Sequence, residues 1–164
     1  MGTPFTQVYN RFLGKITDDM YMELTPEDTL RDLRNLLIDA IPGFEFPRKN
    51  LLDYTIIEAE NALEEESSFT AELTSEEINI LALLMMIGWT QRQVTSIENT
   101  RMKYSSSDFK FTSQANHLAK LLNLLAETQR QSHHMQRLYK RRRTNDDGAY
   151  ESNWSMLRDT SALN

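Results

Sequence analysis

The sequence predicts an all-α fold, on three observations. Between Ile78 and Trp89 only Asn79 is strongly polar, so the segment Ser75 to Asn99 reads as a helix apolar almost all round, which neighbours must bury. Apolar residues recur at helical spacing in the segments that begin near Pro4, Pro26 and Ser113. Start signals, Thr followed by Pro or by a glutamate three residues on, precede the first, second and central helices, and Thr112 or Ser113 can cap the last. The expected architecture is a small helical domain with a central buried helix, a long projecting C-terminal helix and an extended C-terminal tail. Its expected division is a helical domain over 1–143 and a docking tail over 144–164.

Taken in order, Thr3-Pro4 reads as an N-cap with proline at the first helical position, and Phe5, Val8, Tyr9, Phe12, Leu13 and Ile16 follow at helical spacing. The first helix is expected from Pro4 to Lys15. Thr25-Pro26-Glu27-Asp28 repeats the signal, with acidic residues where the helix dipole favours them. Leu30, Leu33, Leu36, Leu37, Ala40 and Ile41 then form one face of a second helix that stops at Pro42-Gly43. Phe44-Glu45-Phe46-Pro47 is an aromatic connection, with Phe46 biased to extended backbone by Pro47. Leu51 to Leu63 has a pattern that fits helix or extended chain and is assigned helix; Glu64 to Ser68 is a polar break.

The central helix opens on a capping box, Thr74 with Glu77. Thr100 to Phe111, with three consecutive serines, is a connector. A last helix, Ser113 to Arg143, carries Ala115, Leu118, Leu121, Leu122, Leu125 and Ala126 as a stripe that thins beyond Ala126. At 1.5 Å per residue that helix is about 46 Å long, longer than the diameter of about 40 Å expected for a domain of this size. Its distal half is therefore expected to project or to meet a partner. The expected core is Ile78, Leu81, Leu84, Met85 and Trp89 of the central helix with Leu118, Leu122 and Leu125 of the last. The tail is polar and expected to be disordered in the free chain, docking through Trp154, Met156 and Leu157.

Composition narrows the function classes. The chain of 164 residues fits one domain and contains no cysteine, which excludes disulfides and thiolate metal sites. Its beginning lacks the basic segment and apolar run of a signal peptide, and the central apolar run is shorter than a membrane span and flanked by charge. Met1-Gly2 with Thr6 matches the short acylation pattern M-G-x-x-x-T, against which stands the plainer reading of an initiator Met. The net charge of −6 is segregated: residues 1–54, 55–80, 81–143 and 144–164 carry −3, −8, +8 and −3. Such blocks are most simply solvated surface, and they are also how subunits steer one another.

No constellation selects a reaction. His133 and His134 point about 100° apart on a helix and cannot share a metal, and His117 lies sixteen residues earlier. There is no glycine-rich phosphate loop, no GxSxG elbow and no cysteine nucleophile, and no base accompanies the carboxylates of 58–77. The expectation is a non-enzyme with no cofactor and no metal. The strongest local signal is Lys140-Arg141-Arg142-Arg143, preceded by Arg130, Arg137 and Tyr139. Phosphate contact is one explanation, and cations complementing a helix C-terminus while meeting a protein partner is the favoured one.

The stretch Leu73 to Leu125, in which a helix opening on Ser75-Glu76-Glu77-Ile78 leads through Ser107-Asp108-Phe109 to a long final helix, resembles the head-to-tail connector or adaptor proteins of tailed bacteriophages. It covers about a third of the chain. The resemblance implies a virion structural protein of the phage neck: a homo-oligomeric ring, commonly twelvefold, between the portal protein and a downstream neck or tail protein. It also implies C-terminal segments on the portal, non-specific contact with genomic DNA in a channel, and no membrane. On matching positions the partner contacts fall on Arg137, Lys140, Arg141, Arg142, Arg143, Trp154, Met156 and Leu157. The alternatives are another tail or baseplate component, or a small helical nucleic-acid-binding regulator.

Overall fold

The computed structural model of the chain describes residues 2–16, 24–57, 67–103, 111–144 and 150–152. Helices dominate them: α1 (Phe5–Leu13), α2 (Pro26–Ala40), α3 (Ser75–Lys103) and α4 (Phe111–Arg141), with a 3-10 turn at Ile41–Gly43. Two-residue strands β1 (Thr3–Pro4), β2 (Tyr54–Thr55) and β3 (Ser68–Phe69) form a small antiparallel sheet in the order β1-β3-β2. The fold is thus mainly α, as expected, with a strand patch that the periodicity did not announce.

α3 is central, as its apolar circumference requires: α1, α2 and α4 all pack on it, and Ile80, Leu81, Ala82 and Met85 are fully buried. Its capping box is closed from both sides, the Thr74 amide donating to Glu77 Oε2 (2.7 Å) and the Glu77 amide to Thr74 Oγ1 (3.3 Å). α2 starts as expected, Thr25 Oγ1 accepting from the Asp28 amide (3.1 Å), and buries Leu33, Leu36, Leu37 and Ala40.

Three expectations about elements are corrected. Helix α1 begins at Phe5, because Thr3 and Pro4 are strand; the Thr3 hydroxyl accepts from the amide of Leu73 (2.7 Å) and has no capping duty. Residues 54 and 55, expected to be helical, pair with β3, Tyr54 opposite Phe69. The rest of that expected helix, 58–63, lies outside the described residues. The third concerns the final helix. Its distal half does not project; Thr128, Ser132, Gln136 and Tyr139 are each at most 3 % exposed against the domain. The proximal half, carrying the leucines, is the more exposed.

The reason lies in the seam. Helices α3 and α4 run antiparallel, Asn79 meeting Met135 and Glu77 meeting Tyr139. The inward positions of α4 are 121, 125, 128, 132, 136 and 139, each three or four residues from the last. Leu122 is about 100° off that line. Expected in the core, it is 45 % exposed, and Leu121 is buried in its stead. Leu84, Leu118 and Leu125 are half-buried, while Ile78, Leu81, Met85 and Trp89 are buried.

The helix ends at Arg141, and Arg142–Thr144 (β4) pairs antiparallel with Tyr150–Ser152 (β5). The expected boundary between domain and tail at 143/144 therefore falls inside a strand. Residues 153–164, with Trp154, Met156 and Leu157, lie outside the described residues.

One close approach at the sheet yields a test. A Cβ on Gly2 would sit 2.0 Å from the backbone oxygen of Phe69, which has no freedom to yield. Gly2→Ala is expected to lower stability by about 2 kcal/mol in urea unfolding. An unchanged midpoint would mean that β1 shifts along β3 without cost.

Candidate partner-binding surface

The basic end of α4 is held by groups from two distant parts of the chain. Glu77 is 1 % exposed. Its Oε2 closes the capping box of α3 while Oε1 accepts the hydroxyl proton of Tyr139. Tyr139, 1 % exposed, also packs edge-on against Phe44, with ring centroids 5.4 Å apart. The start of α3 and the end of α4 are thereby pinned through one carboxylate.

Arg48 works from the other side. Its guanidinium lies 4.4 Å from the centroid of the Tyr139 ring, and Nη2 donates to the carbonyls of Tyr139 (2.7 Å) and Arg142. The Tyr139 carbonyl is one that a helix leaves without an amide partner, at its negative end, and Arg142 opens β4 just beyond, so a guanidinium there caps and compensates at once. The loop before Arg48 is fastened by Gln136, whose Oε1 accepts from the Glu45 amide (2.8 Å) and whose Nε2 donates to the Gly43 carbonyl (3.3 Å). His133 Nδ1 lies 3.6 Å from the Glu45 carboxylate.

The residues expected to meet partners sort accordingly. Arg142 is turned onto Glu76 (2.9 Å), and Lys140 Nζ lies 3.8 Å over the Phe46 ring. Arg137, Lys140, Arg141 and Arg142 are all exposed. Arg137 and Arg141, one helical turn apart, share a face. Arg143 belongs to β4. Sequence reasoning noted Tyr139 beside the basic run but missed its contact with Glu77, and missed Arg48 and Gln136; the available signal for Gln136 was polar residues recurring at seam spacing on α4.

Tyr139 is pushed well above the ordinary tyrosine value of 10.0, first by burial and then by its hydrogen bond to Glu77. The fold therefore favours the protonated phenol. That stabilisation is complete below the unfolded value near 10 and is lost as pH rises past it, when the unfolded chain alone releases the proton. Between about pH 9 and 11, the urea midpoint should fall more steeply for the wild type than for Tyr139→Phe. Parallel curves would remove the coupling.

Two concave surfaces flank α3. One, of about 790 Å³, lies between α2 and α3 over Leu36, Ala40, Leu84, Ile87 and Gly88. On its rim Arg92 is held by Asp32 (2.8 Å) and Asp39 (3.2 Å). The other, of about 450 Å³, lies between the end of α1, α3 and the proximal half of α4, over Met86, Trp89, Leu121 and Leu124. Lys15 on its edge is held below the usual lysine value by burial and by Arg11. Leu124, though it lines the second hollow, is exposed, and so is Leu122 outside both hollows.

No family model, curated protein or solved structure matches this chain.

Proposed function

We propose that the chain is a structural subunit of the neck of a tailed bacteriophage, a ring adaptor joining the portal to the next neck or tail component around the DNA channel. The observation that carries this reading is the contrast between the two halves of α4. Its basic end is fastened to the domain through Glu77 and Arg48, while its other half leaves Leu122 and Leu124 uncovered. Leucines uncovered on two faces of one helix suit a subunit whose neighbours cover them. A fixed basic end with Arg137 and Arg141 outward suits one that meets an acidic partner surface or the DNA backbone. The resemblance over Leu73 to Leu125 and the segregated charge support the same reading. Trp154, Met156 and Leu157, beyond β5, are the residues assigned to grip the portal. No helix among the described residues is long and apolar enough to cross a membrane.

The test is truncation after Arg143, which removes β5 and the tail. The expected product keeps its helix content by circular dichroism and no longer joins particles. Normal virions carrying the truncated chain would overturn the reading. So would a full-length monomer that is absent from particles and binds duplex DNA with steep salt dependence, which marks a regulator.

A further inference from the structure

We infer that the hollow between α1, α3 and the proximal half of α4, together with a polar depression beside it, binds a single-chain amphiphile with a phosphate head. The inference goes beyond the neck reading and holds or fails without it. The two concavities share Lys15. The hollow, of about 450 Å³, has apolar walls: Ile16 past the end of α1, Met86 and Trp89 of α3, and Leu121 and Leu124 of α4. Each helix contributes a pair three residues apart, on one face. The depression, of about 590 Å³, is lined by Gln7, Asn10 and Arg11 of α1 with Ser75 at the start of α3, and by Lys15 again. Gln7, Asn10 and Arg11 share the face of α1 turned away from its buried Phe5, Val8 and Phe12. An apolar compartment and a polar one therefore adjoin at a single amine.

Charge decides what kind of ligand suits that pair. Neither concavity is lined by a carboxylate among the described residues. Elsewhere the domain pairs its cations: Arg31, Arg92, Arg130 and Arg142 each meet a carboxylate. Lys15 and Arg11 form no such pair among the described residues. Lys15 has Arg11 for a neighbour instead, and burial and that like charge hold its amine below the usual lysine value. An anion placed between them favours the charged amine again. A phosphate monoester, with a charge of about −1.5 to −2 and several acceptor oxygens, answers a guanidinium and an amine together, with side-chain amides and a hydroxyl beside them. Donors are in excess in the hollow as well. Trp89 is 9 % exposed, and its indole N–H has no acceptor among the described residues.

The walls favour a small amphiphile over a peptide. Met86, Trp89, Leu121 and Leu124 belong to helices whose backbone groups are bonded internally, so an extended peptide would find no main-chain partners there. The hollow offers side chains only, and its volume lies in the range of small-molecule sites.

Trp154→Phe leaves Trp89 as the single tryptophan, so its emission reports on the hollow. Decyl phosphate is titrated into that chain below its micelle-forming concentration, with decanol and inorganic phosphate as the two halves of the probe. The expected result is a saturable change in emission, with an affinity at least about tenfold tighter than for either half. Lys15→Met, which keeps the apolar stem, should weaken binding about tenfold with an unchanged melting temperature. Leu124→Glu should weaken it similarly from the side of the alkyl chain. Decanol bound as tightly as decyl phosphate, or an unaltered affinity in Lys15→Met, would reveal an apolar hollow without an anion site and overturn the inference. No saturable response, with no retention of the probe in equilibrium dialysis, would overturn it too. Binding to phosphatidylglycerol vesicles alone would place the contact on a membrane surface and overturn the single-chain site.

Discussion

Glu77→Ala is expected to lower the stability of the fold by about 3 kcal/mol, the larger part from stranded partners rather than from the carboxylate itself. Glu77 is a single buried side chain with two tasks. Without it the Thr74 amide loses its acceptor at the start of α3, a capping loss of about 1 kcal/mol. The buried Tyr139 hydroxyl loses the acceptor for its proton, a further cost of roughly 2 kcal/mol for an unsatisfied polar group. Glu77→Gln keeps a capping oxygen and should cost only about 1 kcal/mol, since a capping box accepts glutamine. Urea unfolding of Glu77→Ala, Tyr139→Phe and the variant carrying both completes a double-mutant cycle. A coupling near zero between positions 77 and 139 would show that the end of α4 is held by Arg48 and Gln136 alone. The same variants bear on function, because this contact fixes the direction in which Arg137 and Arg141 leave the domain.

Where the determining contacts are local, the sequence was readable. The capping box of α3 and the Thr25-Pro26 start of α2 involve residues three apart, and both form as their spacing requires. Thr3-Pro4 carried the same signal and failed, because an amide 70 residues away takes the threonine hydroxyl. Tyr54 and Thr55 suit a strand by type, yet their pairing depends on Phe69, which no window over 51–63 contains. The distal half of α4 misled differently. Counting apolar residues left it empty, but Thr128 satisfies its hydroxyl on the Leu124 carbonyl (2.8 Å) and Gln136 bonds Ser132 (3.3 Å). Polar side chains with partners pack at helical seams without the desolvation penalty that unpartnered ones incur. The basic run was visible as composition; its anchoring was not, since Glu76, Glu77 and Arg48 lie in other segments.

Phe5→Ala should be the most damaging single truncation, at about 4 kcal/mol. Phe5 is fully buried, and its ring centroid lies 4.7 Å from that of Phe69, 5.8 Å from Tyr54 and 6.2 Å from Tyr9. Strands of two residues cannot stand on their ladder bonds, since even a full hairpin is marginal in water. The aromatic cluster is therefore what joins β1, β2 and β3, with the Phe5 amide bonded to the Ser67 carbonyl (2.9 Å) as a further tie. Strands β2 and β3 bracket residues 58–66 in sequence, a stretch that includes five glutamates, so the same cluster anchors the described residues on either side of it. Loss of Phe5 should free that anchorage before the α3–α4 hairpin melts. Hydrogen exchange would register it as early opening of the amides of Ser67 to Ala71, with those of Ile80 to Met85 still protected. A loss below about 2 kcal/mol, or simultaneous opening of both regions, would mean that the sheet depends on α3 and not on the ring cluster.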